Sequence, residues 1–485
     1  MRRCALLLAL VAVLGGASAA PALERVRGVL HVHSELTTGD FTLESLVGLA
    51  EQQGIGALLL AENYRLRVAY GLPPFRALTR VTRSEPSIGD APGQYLQRVA
   101  AVQQRLPHML LIPGVEGMPH YHWTGSPLAL DMTVHDLQKN LLVFGIGDPA
   151  VLAALPVAGH DGGALTLQSA LDALPVLLLI PGLILLLRRR PVRRRLGRGA
   201  VMVVTQRAWL RGGVLCLIGL VALVRGWPFL TDRFPTWQPA GMEPYQALID
   251  RVDQLGGASV WSFPEARDIG EQHYGPIRVG WLTEPYPDDL LKTFRYSAFG
   301  AVYEDTTTFE QPGGSWDRLL TEYARGERSR PAWAVGESGF HGFTAGKQIG
   351  PVQTVFLVEH KTTAGVLDAL RRGRMYALQR TRELGFDLSQ FTAAAGPATA
   401  QAGETLRVPA GTPIELTVAV EASDGRAHDA RLTIVRNGRI TTMERGATPL
   451  RVVHRETTDG TPLVLRVEAR DAQRRVLSNP IFVRP

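Results

Sequence analysis

The sequence predicts an α/β protein: a parallel sheet, covered by helices on both faces and long enough to close into a barrel, interrupted by a membrane-spanning hairpin and followed by a β-sandwich. Three observations predict it. Helical stretches alternate with short, almost wholly apolar strands, the pattern of parallel strands buried on both faces. Two long apolar runs flank an arginine cluster near the middle of the chain. From about Glu383 the texture changes to short strands of alternating apolar and polar residues, as in two packed antiparallel sheets. At 485 residues the chain exceeds what one core supports, so two or three domains are expected.

Met1 to about Ala20 carries Arg2-Arg3, an apolar run from Ala5 to Leu14, and Ala17-Ser18-Ala19 at signal-peptidase spacing, which predicts a secretory signal over 1–20. Gly28 to Ser34 reads as a strand. Its period of two puts His31 and His33 on one face, two imidazoles forming half of a metal site. Thr42 to Gln53 has Leu43, Leu46, Val47 and Leu49-Ala50 at helical spacing, with Gly54 to end the helix and the strand Ala57 to Ala61 after it. A second unit runs from Tyr95 through Arg105 into Met109 to Glu116. Functional groups in such folds stand at the carboxyl ends of strands, which is where this reading places His31, His33, Glu62 and Glu116. Leu141 to Gly145 is a further strand.

The alternation then stops. From Ala164 to Leu187 the only ionisable residue is Asp172, Ala173 to Leu187 is apolar throughout, and Gly212 to Val224 is apolar again. Extended by Leu165 to Ala170 and by Trp227 to Leu230, both runs reach the ~20 residues a bilayer span needs. Between them lie nine arginines from 188 to 211 with no acid, which places that loop in the cytoplasm, while the leader places both flanks outside. The expectation is an inner-membrane protein with its globular parts facing the periplasm or cell exterior, and the lipid bilayer as a partner.

Past Pro235 the globular pattern resumes. Tyr245 to Gln254 is a helix ended by Gly256-Gly257, and Ala258 to Phe263 a strand; Phe299 to Tyr303, Trp316 to Arg325, Trp333 to Gly336, Thr354 to Val358 and Thr363 to Arg372 continue the series. The strands that follow include Leu406 to Val408, Ile414 to Val420, Ala430 to Arg436, Leu463 to Glu468 and Ile481 to Val483, with Asn437-Gly438 as a two-residue hairpin turn. The expected division is a leader at 1–20, barrel at 25–163, membrane hairpin at 164–230, barrel again at 236–381, and sandwich at 382–485.

The formal charge of +7 does not indicate nucleic acid: subtracting the nine clustered arginines and the two in the leader leaves −4 for the rest. Cys4 and Cys216 fall in the leader and an apolar run, so no intrachain disulfide is expected. No Gly-x4-Gly-Lys phosphate loop and no Gly-x-Ser-x-Gly elbow occurs, which leaves serine hydrolysis and P-loop chemistry unsupported. His120 and His122, with His135-Asp136, are spare ligands or a polar surface loop, and His160-Asp161 reads as a turn.

With these pieces in order the chain resembles the polymerase-and-histidinol-phosphatase (PHP) superfamily, in the metallohydrolase branch that includes carbaryl hydrolase. The stretches that carry the resemblance are Leu30 to Ser34, Leu43 to Gly54 with Ala57 to Asn63, Ile112 to Glu116, Gly256-Gly257 through Phe263-Pro264, Trp316 to Leu320, Val335 to Gly342 and Ala369 to Arg374. The resemblance implies a distorted (β/α)7 barrel, divalent ions (Zn, Mn or Fe), and a metal-activated water attacking a small-molecule phosphoester or carbamate-like ester. It implies His31, His33, Glu116 and His341 as metal ligands, with Glu116 and His341 the catalytic positions. The chain also departs from the pattern. Glu62-Asn63 stands for Asp-His, Phe263 for a histidine, and Gly339-Phe340-His341 for Asp-x-His. Two expectations follow: a reduced site in which Glu62, Asn63 or Glu337 fills in, or a catalytically inactive binding or sensing module at the membrane surface.

Overall fold

The computed structural model describes residues 23–159, 163–197 and 199–485; the expected leader and His160-Asp161 lie outside them. Strand β1 (Glu24–Val32) is followed by helix α1 (Leu43–Glu51), which is capped by the Thr42 hydroxyl accepting Ser45 N at 3.1 Å and buries Leu43, Leu46, Val47 and Ala50. The next strand is broken at Ala61 into β2 (Ala57–Leu60) and β3 (Glu62–Tyr64). An exposed excursion follows, with β4 (Arg67–Tyr70), α2 (Arg76–Thr79) and β5 (Val81–Ser84). Helix α3 (Pro92–Arg105) leads to a strand broken at Pro113 into β6 (Leu110–Ile112) and β7 (Gly114–Gly117). Strands β8 (His122–Ser126) and β9 (Asp131–His135) precede β10 (Leu141–Phe144) and α4 (Pro149–Ala153).

Helix α5 (Leu167–Ala173), a 3-10 turn over Leu174–Leu178 and α6 (Leu179–Leu187) form one continuous apolar helix of 21 residues; α7 (Trp209–Gly226) supplies a second of 18. Their mean hydropathies are 2.4 and 1.6, long and apolar enough to cross a membrane. They pack where backbones can touch: a Cβ on Gly182 would meet Cys216 Sγ at 2.6 Å, and one on Gly219 would meet Leu179 at 2.8 Å. Leu177, Leu217 and Val224 stay exposed on the outside. Asp172, the lone ionisable residue of the first run, accepts Ala77 N and Gln168 Nε2, so α2 docks on the helix pair. The arginine-rich connection is not an irregular loop but a ribbon of β11 (Arg190–Leu196) and β12 (Ala200–Gln206).

After the hairpin come α8 (Glu243–Gln254), β13 (Ala258–Trp261), β14 (Asp268–Tyr274), β15 (Ile277–Thr283), α9 (Pro287–Lys292), β16 (Ala298–Val302), α10 (Ser315–Ala324), β17 (Trp333–Gly336), β18 (Val352–Val358), α11 (Thr363–Arg372) and β19 (Met375–Gln379). Pairing runs β1-β2-β6 in one sheet and β3-β7-β10-β13-β16-β17 in another. Ser338 N donates to Leu30 O, Phe340 N to His31 O and His33 N to Phe340 O, so the chain leaving β17 bonds back to β1. The expectation of an all-parallel sheet is corrected at β10, which is antiparallel to both β7 and β13. A parallel neighbour needs a crossover, usually a helix. Here the β8–β9 excursion instead returns the chain to the rim it left, beside Gly117.

The C-terminal strands are β20 (Phe386–Ala395), β21 (Ala398–Gln401), β22 (Thr405–Arg407), β23 (Pro413–Ala422), β24 (Asp429–Arg436), β25 (Arg439–Ala447), β26 (Leu450–Thr457), β27 (Leu463–Arg470), β28 (Arg475–Ser478) and β29 (Ile481–Arg484). Asn437 and Gly438 both have positive φ between β24 and β25, as the hairpin turn requires. One sheet is β21-β20-β23-β26. The other, with β27, β28 and β29, pairs through β28 with β19 and is therefore continuous with the sheet that holds β1. A core of Phe386, Leu416, Val418, Leu432, Leu465 and Ile481 lies between the two.

Candidate metal centre

His31 and His33 are brought together by a distortion of their strand. β1 pairs with β2 through Leu30↔Leu59 and then Val32↔Leu60, so one residue is extra, and His31 takes it up at φ +69°. The result sets His31 Nε2 3.0 Å from His33 Nε2, both side chains buried. His341, in the turn after β17, stacks on His33 with ring centroids 3.9 Å apart and planes 12° from parallel. One nitrogen from each of the three histidines lies within 4.8 Å of the others. Glu116 on β7 closes the group: Oε1 is 3.5 Å from His31 Nε2 and Oε2 3.4 Å from His33 Nε2.

The residues behind this group hold it in place. Glu337, fully buried just after β17, accepts His31 Nδ1–H at 2.7 Å, Ser262 Oγ at 2.6 Å and Phe263 N at 2.9 Å. A carboxylate on Nδ1 fixes the tautomer and leaves Nε2 facing the group. Its room comes from Gly300, where a Cβ would fall 2.0 Å from Glu337 Oε2. Asn140 Nδ2 donates to Glu116 at 2.8 Å, and Thr38 Oγ1 lies 3.0 Å from His341 Nδ1. Burial opposes a charge on His31, yet Glu116 and Glu337 outweigh it and raise the pKa to about 10. Burial lowers that of His33, and burial with its two histidine neighbours pushes His341 to about 3. Although burial would raise it, the Glu116 carboxyl is held well below its usual range by His31 and His33.

The donor set fits a divalent transition ion. Nitrogen and oxygen ligands bonded at about 2.0–2.2 Å stand about 3.0 Å apart at right angles and about 3.4 Å apart at the tetrahedral angle. The three edges among His31 Nε2, His33 Nε2 and the Glu116 oxygens are 3.0, 3.4 and 3.5 Å. Three imidazoles and a carboxylate suit Zn²⁺, Mn²⁺ or Fe²⁺.

Not every expected ligand is in the group. Glu62 turns to the chain instead, with Oε1 accepting Ser34 N at 2.9 Å and its two oxygens taking the Ser34 and Thr37 hydroxyls; burial raises its pKa to about 7 against those bonds. Asn63 donates to Thr38 Oγ1 at 3.2 Å and to Pro86 O, so it supports the group that touches His341. Glu337, expected as a fill-in ligand, binds His31 from behind. Two of the departures from the resemblance meet in space: a Cβ on Gly339, itself at φ +57°, would lie 2.7 Å from the Phe263 ring, and that ring stacks on His31 at 5.2 Å. His122 stacks on His135 at 4.7 Å and lies 3.6 Å from Asp136, while His120 reaches Gln238 O, so these histidines form their own cluster. Ser262 and Thr38 are functional neighbours the sequence does not point to: Ser262 falls inside the expected strand Ala258 to Phe263, which in the structure ends at Trp261.

No family model matches the sequence, and no curated protein matches it. Among solved structures, the chain is similar to a two-domain protein from Bacteroides vulgatus ATCC 8482 containing a predicted PHP-like metal-dependent phosphoesterase. That match has 10% identity over 93% of this chain and 92% of that one, with a TM-score of 0.36. A protein from Bifidobacterium adolescentis ATCC 15703, named as a metal-dependent phosphoesterase, matches at 12% identity over 70% of this chain and 96% of that one, with a TM-score of 0.31.

The Glu337–His31 bond makes a prediction. Glu337→Gln keeps the shape but presents an amide to Nδ1, and metal affinity should fall about 10–100-fold, read by titration of the metal-free protein with Zn²⁺. An unchanged affinity would remove Glu337 from the centre.

Proposed function

We propose that this chain is a membrane-anchored, metal-dependent hydrolase of PHP type, with a distorted seven-stranded barrel over 25–163 and 236–381 and a β-sandwich over 382–485, facing the periplasm from the inner membrane. It acts on a phosphoester or carbamate-like ester. The observation that carries this reading is the convergence of His31 and His33 on Glu116 at ligand-edge distances, with one nitrogen of His341 within 4.8 Å of a nitrogen of each histidine. When bound, a divalent ion supplies a Lewis acid and a water of lowered pKa. The chain's own part is to hold His31 Nε2, His33 Nε2, one ring nitrogen of His341 and the Glu116 carboxylate in register. His31 gives up its Nε2 proton on binding and keeps Nδ1–H on Glu337. Asn140 orients Glu116 through its amide donor.

One observation favours the second reading, a binding module without turnover: the Phe263 ring covers one side of His31. Elemental analysis of detergent-purified protein, paired with hydrolysis of phosphoester and carbamate substrates after loading with Mn²⁺ or Zn²⁺, separates the two. A held ion with turnover supports the hydrolase; a held ion without turnover on any substrate class supports the binding module. No ion after loading sinks the hydrolase and likewise supports the binding module. Topology is tested separately. An alkaline-phosphatase fusion at position 196 should be inactive, because the arginine ribbon lies in the cytoplasm, and an active fusion would invert or abolish the hairpin.

A further inference from the structure

We propose that the ribbon β11–β12 is a docking surface for anionic phospholipid headgroups, lying on the cytoplasmic face of the bilayer rather than standing in water. The inference rests on the membrane-spanning reading of α5–α6 and α7. Two-residue connections after Leu187 and before Trp209 tie the ribbon to both helix ends, which keeps it at headgroup depth. The topology signal alone asks only for positive charge, which an irregular loop would supply. The structure instead has seven paired positions, Arg190↔Gln206 through Leu196↔Ala200, in a sheet of two strands. An isolated two-stranded ribbon is marginal in water. This one also exposes aliphatic side chains, with Val201 56%, Met202 49% and Val203 59% accessible.

Charge selects the occupant. Nine arginines and no acid lie between 188 and 211, so the segment cannot neutralise itself, and Arg188, Arg189, Arg190 and Arg193 form no ion pair among the described residues. Guanidinium groups bind phosphate oxygens in forked pairs. Aliphatic side chains between them match the boundary where headgroups meet acyl chains. An anionic headgroup layer satisfies both kinds of side chain at once, and neither water nor a neutral headgroup layer does.

The test uses the full chain in nanodiscs, with Cys4→Ala and Cys216→Ala as background. Val203→Cys is labelled with an environment-sensitive fluorophore and quenched by a nitroxide borne near the lipid headgroup. Quenching should be about threefold or more stronger in discs rich in phosphatidylglycerol than in phosphatidylcholine, and should fall at high salt and on changing Arg188, Arg189, Arg190 and Arg193 to Gln. Equal quenching in both lipids would overturn the proposal, and so would a label unquenched in both, whether it is open to water or shielded by a protein partner. A second label at Leu217→Cys, read with a nitroxide at the bilayer centre, reports on the span. If Leu217 is unquenched the membrane reading itself fails; if Leu217 is quenched while Val203 is not, only the ribbon proposal fails.

Discussion

Replacing His31 and His33 together with alanine is expected to abolish ion binding, leaving purified protein with no stoichiometric metal where the wild type holds it. Two of the four proposed ligands leave, and they are the two whose nitrogens lie 3.0 Å apart and share Glu116. A bound ion contributes several kcal/mol of charge stabilisation to hydrolysis, so turnover should drop on the order of 10³-fold. The fold should survive. The His31 imidazole, whose charge Glu116 and Glu337 stabilise, leaves with the substitution. Glu116 and Glu337 then face each other without a cation, which costs some stability and gives a second readout: the double variant should melt lower than wild type in metal-free buffer but gain nothing from added Zn²⁺, whereas the wild type should gain. A variant that still binds one ion per chain would move the centre elsewhere.

The reach of the sequence follows from how local each feature is. Alternation of apolar strands and amphipathic helices depends on neighbours three or four residues away, and the helices at α1, α3, α8, α10 and α11 fall where that periodicity predicts them. The His-x-His pair was legible for the same reason. Its true geometry was not, because the bulge at His31 depends on how β1 pairs with β2. The reversed β10 depends on where a loop comes back, which composition does not encode. Glu337 sits 306 residues from His31 in the chain, and only the fold shows that it stands behind the imidazole and not beside it.

The departures at Phe263 and Gly339 also make sense only in three dimensions. Seen singly, each looks like a lost ligand. Together they are one packing solution: the Phe263 ring takes the volume beside residue 339, where a side chain would collide, and Tyr303 meets that ring edge-on at 5.1 Å. Restoring an acid at 339 alone would therefore strain the turn that presents His341. The absence of a side chain at 339 is built into the packing rather than left as a gap.

The largest stability effect is expected far from the centre, at the buried pair that ties the C-terminal strands to α10. Arg466 on β27 is 1% exposed and donates from Nε and Nη2 to the two oxygens of Asp317, both at 2.7 Å, while its guanidinium lies 4.9 Å over Trp316. Asp317→Ala leaves that cation with Glu310 O and a ring face, and should cost about 3–5 kcal/mol, read by denaturant unfolding of the detergent-solubilised protein. The double change Asp317→Leu/Arg466→Met removes both charges and fills the space with apolar groups, so it should recover most of that loss. It should not recover all of it, because Asp317 also accepts Gly313 N at 2.9 Å, and that hydrogen bond, worth about 0.5–1.5 kcal/mol, is lost as well. The ordering is the test: the single variant below the double, and the double below wild type. Single and double variants of equal stability would mean that the desolvated charge is not what the pair protects against, and that the C-terminal sheet is held to α10 by Trp316 and its apolar neighbours alone.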